Sequence, residues 1–318
     1  MNIKIYKVGS FKYTPFDNFV GGDLNYLESN RVSIVTNVAD ADIIIAQNYK
    51  HIKKCFWRCI QGKKFLIWTN EPRFNDEYVK FKNVFFNLTK CHFMNIYTRD
   101  IFVTNISIHC GLINKDLKII DKNFQLKSKK MIALMSYYGG VNAPKLMKGN
   151  ENIDLIALRS QIALEGSKDG FIDVFGKGWP DGVSKEDSRD GDWGIRKKHL
   201  LADYNFNLCF ENTAVYNYMT EKIWDSIENY CLPIYYGKHT NAYELFPENS
   251  FIDYSHFKSP IELFSFINNM SVNEYIDRMN KCINVYNSIC QQGEKLVIDE
   301  RKKMLDNIVE KLNFIKKN

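Results

Sequence analysis

YNFNLCFENTAVYNYMTEKIWDSIENYCLPIYYG, residues 204–237, holds one full turn of the fold. Residues 206–210 form a short apolar run, the mark of a buried strand. The run stops at Glu211 and Asn212, so two polar groups emerge at the strand's carboxyl end, where open α/β sheets bind ligands. A polar loop with two tyrosines follows. Thr220 then occupies the position of a helix N-cap. Glu221 and Lys222 fall in the first helical turn, and Ile223, Trp224, Ile227 and Tyr230 supply its apolar face. Residues 232–236 read as the next strand, and Gly237 lets the chain turn away. A helix N-terminus offers free N–H groups and a positive dipole end, which suits a diphosphate. Lys222 adds a point charge there, and Glu221 can accept hydrogen bonds from a ribose diol, as acidic residues do in dinucleotide folds. A surface helix whose first turn simply favours an acid fits the same letters.

The rhythm continues outward. Residues 131–138, 171–176, 206–210, 232–236 and 251–254 read as strands, with 154–165, 196–203, 221–230 and 241–246 as the helices between them. Nearer the start, 3–8, 32–35, 42–47, 65–69 and 84–86 read as strands separated by stretches long enough for helices. Such alternation predicts parallel sheets in an α/β fold. The lysine-rich stretch 114–130, NKDLKIIDKNFQLKSKK, reads as a linker, or as a solvated surface helix. From residue 294, Val297, Leu305, Ile308, Leu312 and Ile315 follow helical spacing. That helix either packs across another part of the protein or lies on a membrane surface. The expected organisation is an acceptor-side α/β domain over 1–128, a ligand-binding α/β domain over 129–292 and a C-terminal amphipathic helix over 293–318.

Composition narrows the function classes. The chain has 318 residues, 45% hydrophobic and 25% charged, which excludes a disordered protein. Net charge is +6, and no dense Lys/Arg stripe points to nucleic acid. Eight cysteines are scattered with no pair of CxxC units, so no structural zinc is expected. Scattered thiols point to a reducing compartment, and no apolar run approaches the ~18 residues of a spanning helix. The expected location is therefore cytoplasmic, with peripheral contact to the inner face of a membrane as the further possibility. Asp40 and Asp42 form an Asp-x-Asp, but they precede a strand, and no metal or other cofactor is required by the pattern.

The blocks FENT, YNYMTEK and LPIYYG, in this order and spacing, resemble the signature of the α-1,3/4-fucosyltransferases that use GDP-fucose. IDVFGKG, residues 172–178, resembles the donor-domain motif that precedes them in that family. The resemblance covers the second half well and the first half thinly. It implies a GT-B fold, two Rossmann-like domains facing a central cleft, and transfer with inversion at the anomeric carbon. Glu221 would contact the ribose and Lys222 the pyrophosphate, with Asn212 and Tyr218 at nucleotide- or phosphate-contacting positions. Arg159 and Arg196, the latter in GDWGIRKKH, are rival candidates to clamp the pyrophosphate, a task for which a guanidinium fork suits better than an ammonium.

An inverting transferase also needs a base for the acceptor hydroxyl. Glu71, in FLIWTNEPRF, follows a strand end and resembles the family's base, although Pro72 follows it directly where Glu-Ser-Pro is the commoner form. Asp76 and Glu77 are its back-ups. Tyr97, Arg99 and Asp100 weakly resemble a Tyr-Arg…Asp stretch that follows the base, whereas His92 and His109 read as structural. The implied partners are GDP-fucose and a glycan acceptor of the N-acetyllactosamine type. A different nucleotide-sugar donor on the same fold, or a glycan- or nucleotide-binding module without turnover, are the rival functions.

Overall fold

The structure, a computed structural model, describes residues 2–19, 21–69, 71–72, 80–95, 116–187 and 191–318. The chain divides into two compact units. One holds the described residues through 95 together with Glu294–Asn318, the other those from 116 to Gly293.

The first unit is built on six strands: β1 (Ile3–Lys7), β2 (Val32–Val35), β3 (Ile43–Ala46), β4 (Lys64–Thr69), β5 (Phe81–Val84) and β6 (Thr89–Asn95). They lie in the order β2-β1-β3-β4-β6-β5. All pairings are parallel except β5 with β6, a hairpin. Strand β3, in the middle of the sheet, is apolar on both faces: Ile43, Ile44, Ile45 and Ala46 are all fully buried, as a strand covered on two sides requires. Helices α1 (Asp23–Ser29) and α2 (Tyr49–Ile52) connect them. Of the strand expected at 84–86 only Val84 is in one, as the last residue of β5, and the rest is a turn. Phe85, Phe86 and Asn87 take φ of 51°, 56° and 64°, a left-handed run that reverses the chain between β5 and β6.

The long C-terminal helix, Gly293–Lys317, belongs to this first unit from Glu294 onward. Leu305, Ile308, Leu312 and Ile315 are at most 5% exposed. The apolar stripe that could have met a membrane is thus spent on the unit's own core. Arg301 forks onto the Asp23 carboxylate, Nε to Oδ1 at 2.8 Å and Nη2 to Oδ2, and both side chains are buried. Asp42 receives the Lys4 amide and the Lys316 ammonium, each at 2.8 Å. Burial alone would raise its carboxyl, but those partners hold it below the usual range.

The second unit carries β7 (Met131–Leu134), a small hairpin β8 (Met147–Lys148) and β9 (Glu151–Asn152), then β10 (Ile172–Phe175), β11 (Phe206–Leu208), β12 (Leu232–Tyr235) and β13 (Ile252–Asp253). Its helices are α3 (Ile156–Lys168), α4 (Trp193–Ala202), α5 (Glu221–Glu228), α6 (Ala242–Leu245), α7 (Pro260–Asn269) and α8 (Val272–Cys290). The main sheet runs β10-β7-β11-β12-β13, parallel throughout. In chain order its strands lie second, first, third, fourth, fifth. The direction of winding therefore reverses between β7 and β11, and such a reversal opens a crevice at the strands' carboxyl ends.

The stretch read as a linker is fastened to this second unit. Asn287 on α8 accepts from the Leu117 amide at 2.8 Å and donates to the Leu117 carbonyl at 2.9 Å. Asn280, seven residues earlier and so on the same helical face, holds Ile120 in the same way at 2.8 and 2.9 Å. No helix among the described residues is long and apolar enough to cross a membrane.

Candidate donor-binding site

The carboxyl ends of β7, β10, β11, β12 and β13 gather on one edge of the second sheet. Beyond β10 the chain passes through Gly176, whose φ is +146°; a Cβ there would lie 2.2 Å from the Met135 carbonyl oxygen. Only glycine permits that approach. Trp179 then donates its indole N–H to the same carbonyl at 2.8 Å and packs on Tyr137, ring centroids 4.9 Å apart. The loops after β7 and β10 are thereby tied together. Beyond β12, the Gly237 amide reaches Asp253 Oδ1 at 3.1 Å, and Tyr243 donates to the other oxygen of that carboxylate.

The middle of the edge belongs to the stretch after β11. Glu211 is 2% exposed and its carboxylate is the hub. It accepts from the Thr220 amide at 2.7 Å and from the Thr220 hydroxyl at 2.8 Å. The Lys222 ammonium reaches it at 2.9 Å, and the Tyr235 hydroxyl at 3.4 Å. Burial pushes the Glu211 carboxyl above the usual range, while Lys222 pulls against that shift. Lys222 also donates to the Thr220 hydroxyl at 2.7 Å and lies 3.5 Å from Glu221.

Thr220 is the N-cap residue of α5, as its place in the sequence predicts, but its hydroxyl turns to Glu211 and makes no capping bond to the helix. The positive dipole end of α5 therefore lies beside the Lys222 ammonium. Trp224 and Ile227 anchor the helix on its buried face.

The other expected donor residues take distinct places. Arg159, on α3 and 7% exposed, sends Nη1 to the Phe210 carbonyl at 3.3 Å, beside Glu211. Asn212 accepts the Leu155 amide through its carbonyl at 2.9 Å. Tyr218 is buried. Arg196 lies on α4 and pairs with Glu186, on a cavity of about 340 Å³ that Asp192 and Asp203 also line. Of the two rival arginines, Arg159 is the one whose guanidinium stands at the carboxyl end of β11.

In the first unit, Glu71 is exposed in the bend just beyond β4, its amide donating to Thr69 Oγ1 at 3.1 Å. Asp76, Glu77, Tyr97, Arg99, Asp100 and His109 lie outside the described residues. His92 is buried, flanked by the Phe81 and Phe314 rings at 6.1 and 6.0 Å, in keeping with the structural reading. Among the described residues no three His, Cys, Asp or Glu side chains cluster as a metal site needs.

Two contributions escape the sequence reading. One is the Glu211 carboxylate as the hub of the donor loop; the other is the Tyr243–Asp253 pair behind Gly237. A signal for the first existed, since an acid at the end of an otherwise apolar strand demands partners. Residues 157–308 match the family described as "Glycosyltransferase family 10 (fucosyltransferase) C-term". The chain is 39% identical over 85 residues to the α-(1,3)-fucosyltransferase FucT of Helicobacter pylori, a match covering 26% of this chain and 18% of that protein. It is likewise 39% identical over 88 residues to GDP-fucose protein O-fucosyltransferase 3 of Bos taurus, covering 28% of this chain and 18% of that one. These matches thus span about a fifth of each relative's length. Among solved structures, a crystal structure of an α1,3-fucosyltransferase shares the fold with a TM-score of 0.55 at 17% identity, over 96% of this chain and 90% of that one. Residues 157–308, which carry Glu211, Thr220 and Lys222, thus resemble the C-terminal part of the glycosyltransferase family 10 fucosyltransferases.

Proposed function

We propose that this chain transfers L-fucose from GDP-fucose to a hydroxyl of N-acetylglucosamine in a glycan, forming an α-1,3 linkage with inversion at the anomeric carbon. The observation that carries the reading is the Glu211–Thr220–Lys222 cluster at the N-terminal end of α5. That arrangement suits a pyrophosphate, because the Lys222 ammonium stands at the N-terminal end of a helix, where the dipole favours an anion. Glu221, in the first turn, serves the ribose diol. Asn212 and Tyr218 belong to the nucleotide pocket, and Arg159 or Arg196 adds a guanidinium to the phosphates.

In the transfer, Glu71 removes the proton of the acceptor hydroxyl. The freed oxygen forms a bond to the fucose anomeric carbon from the face opposite the nucleotide. The bond from that carbon to the β-phosphate oxygen breaks, its electron pair leaves with GDP, and the cationic groups stabilise the charge that develops there.

The likeness over 88 residues to a GDP-fucose protein O-fucosyltransferase supports the donor assignment and gives a protein hydroxyl as a second acceptor reading. Incubating the protein with GDP-fucose and a panel of N-acetyllactosamine glycans and hydroxyl-bearing peptides, followed by mass spectrometry of the products, tests both. A fucosylated glycan with an α-1,3 bond is expected. Transfer from another nucleotide sugar only, or GDP-fucose binding without any product, would replace the reading with one of its rivals.

A further inference from the structure

The first unit contains a cavity of about 290 Å³ far from Glu71. Lys64, the first residue of β4, borders it, whereas Glu71 lies beyond the last residue of that strand. At ~3.3 Å per residue the length of β4 alone separates the two ends by about 17 Å. The cavity therefore sits at the amino ends of β4 and β6, on the edge opposite the one where α/β sheets bind their substrates. Its size is near the lower end of the ~300–1,000 Å³ common for ligand sites, which suits a single sugar ring rather than a nucleotide.

Its walls are chemically mixed. Phe81 and Phe314 are about half exposed, at 46% and 51%, and stand on either side of the buried His92 ring. Asn83 supplies an amide. Lys90 holds its ammonium 4.8 Å from the Phe81 ring centre, and Lys311 holds its own 5.8 Å from that of Phe314. No acidic side chain lines the cavity among the described residues. The electrostatic consequence is visible at His92, whose pKa is pushed down to about 4 by burial and by Lys311, Lys90 and Lys64.

A second observation is independent of the charges. The turn that ends at this cavity, Phe85–Phe86–Asn87, is left-handed at three consecutive non-glycine residues. Such residues cost on the order of 1 kcal/mol or more each, and that strain gathers where it positions a binding group. Here it brings Asn87 and Leu88 to the rim.

We propose that this cavity binds one anionic sugar residue, its ring against the exposed faces of Phe81 and Phe314 and its carboxylate or phosphate on Lys64 and Lys90. The site is separate from the donor pocket, so it extends the enzyme's grip to a second, acidic part of a glycan.

The test is titration of the full chain by isothermal calorimetry with glucuronate, glucose 6-phosphate, glucose and inorganic phosphate, with GDP as an independent ligand. Glucuronate, glucose 6-phosphate or both bind, and whichever binds tells whether the anion is a carboxylate or a phosphate. Loss of one charge-assisted contact in Lys90→Ala weakens that binding about tenfold or more. Phe314→Leu weakens it too, and both variants keep the wild-type GDP affinity and melting temperature. The proposal is overturned if glucose binds as well as its acidic counterparts, if inorganic phosphate binds as well as the sugar phosphate, if neither acidic sugar binds, or if Lys90→Ala leaves their affinity unchanged. Failure of GDP to bind would bear on the donor pocket and leave these outcomes readable.

Discussion

Glu211→Gln is the most informative single change, because it keeps the shape of the hub and removes its charge. The buried carboxylate takes the Thr220 amide on Oε1 and the Lys222 ammonium on Oε2. Whichever way a glutamine amide lies, its NH₂ faces one of those donors, so one contact turns repulsive. Losing a hydrogen bond to a charged group costs about 1.5–3 kcal/mol. The ~3–5 kcal/mol that follows from orphaning a buried ion does not apply in full, since the Lys222 side chain is 25% exposed and can turn to water. The expected loss is about 2–3 kcal/mol, partly as a loosened start to α5. For a unit of ~150–250 residues this corresponds to a melting temperature lower by about 4–12 °C. GDP affinity should fall about tenfold as Thr220 and Lys222 lose their common anchor. Differential scanning calorimetry and GDP titration read the two effects. A variant that melts within about 1 °C of wild type and binds GDP equally well would refute the hub.

Four further outcomes are expected. Glu71→Gln should lower turnover by roughly 10²–10⁴-fold while GDP affinity stays at the wild-type value; equal losses of both would deny Glu71 the role of base. Gly176→Ala should cost about 2–3 kcal/mol, read by urea unfolding, because its Cβ would drive into the Met135 carbonyl at a left-handed φ. Arg301→Met leaves the buried Asp23 carboxylate unpaired and should destabilise the first unit by about 3 kcal/mol; an unchanged unfolding midpoint would show that the pair is idle. His92 has its folded pKa below its unfolded value, so its contribution is present above the unfolded pKa near 6.5 and is lost as pH falls toward about 4. The loss should reach about 2 kcal/mol after allowance for solvent screening, and His92→Gln should flatten the fall in urea midpoint over that range.

Much of the second unit is legible in its letters, and the reasons are local. Strand β12 is a continuous apolar run and β3 is another, so they stand out without any periodicity. Thr220 sits between a polar loop and an amphipathic run, and the helix starts there. The same local logic finds Glu71 by its place after β4. It fails where a residue's partner is distant. Asn280 and Asn287 look like ordinary helix-surface amides, and nothing near them says that they capture the backbone some 160 to 170 residues earlier. Val84, Phe85 and Phe86 carry strand-favouring side chains, yet the backbone reverses at Phe85, a case of tertiary context overriding propensity. Helices α7 and α8 went unassigned although Ser259–Pro260 and Ser271 with Glu274 supply their starting signals. Glu211 was legible as a polar strand end, but its inward direction depends on Tyr235 and Lys222 arriving from the following helix and strand.

The C-terminal helix has a consequence for how the protein is made. The strands of the first sheet leave the ribosome well before the residues that complete its core, from Met304 to Ile315. At roughly 5–20 residues per second, the ~200 residues in between delay that closure by some 10–40 s. During that interval the later-born half is free to fold while the earlier one waits with an unfilled groove, which makes the nascent first sheet a natural client for a chaperone.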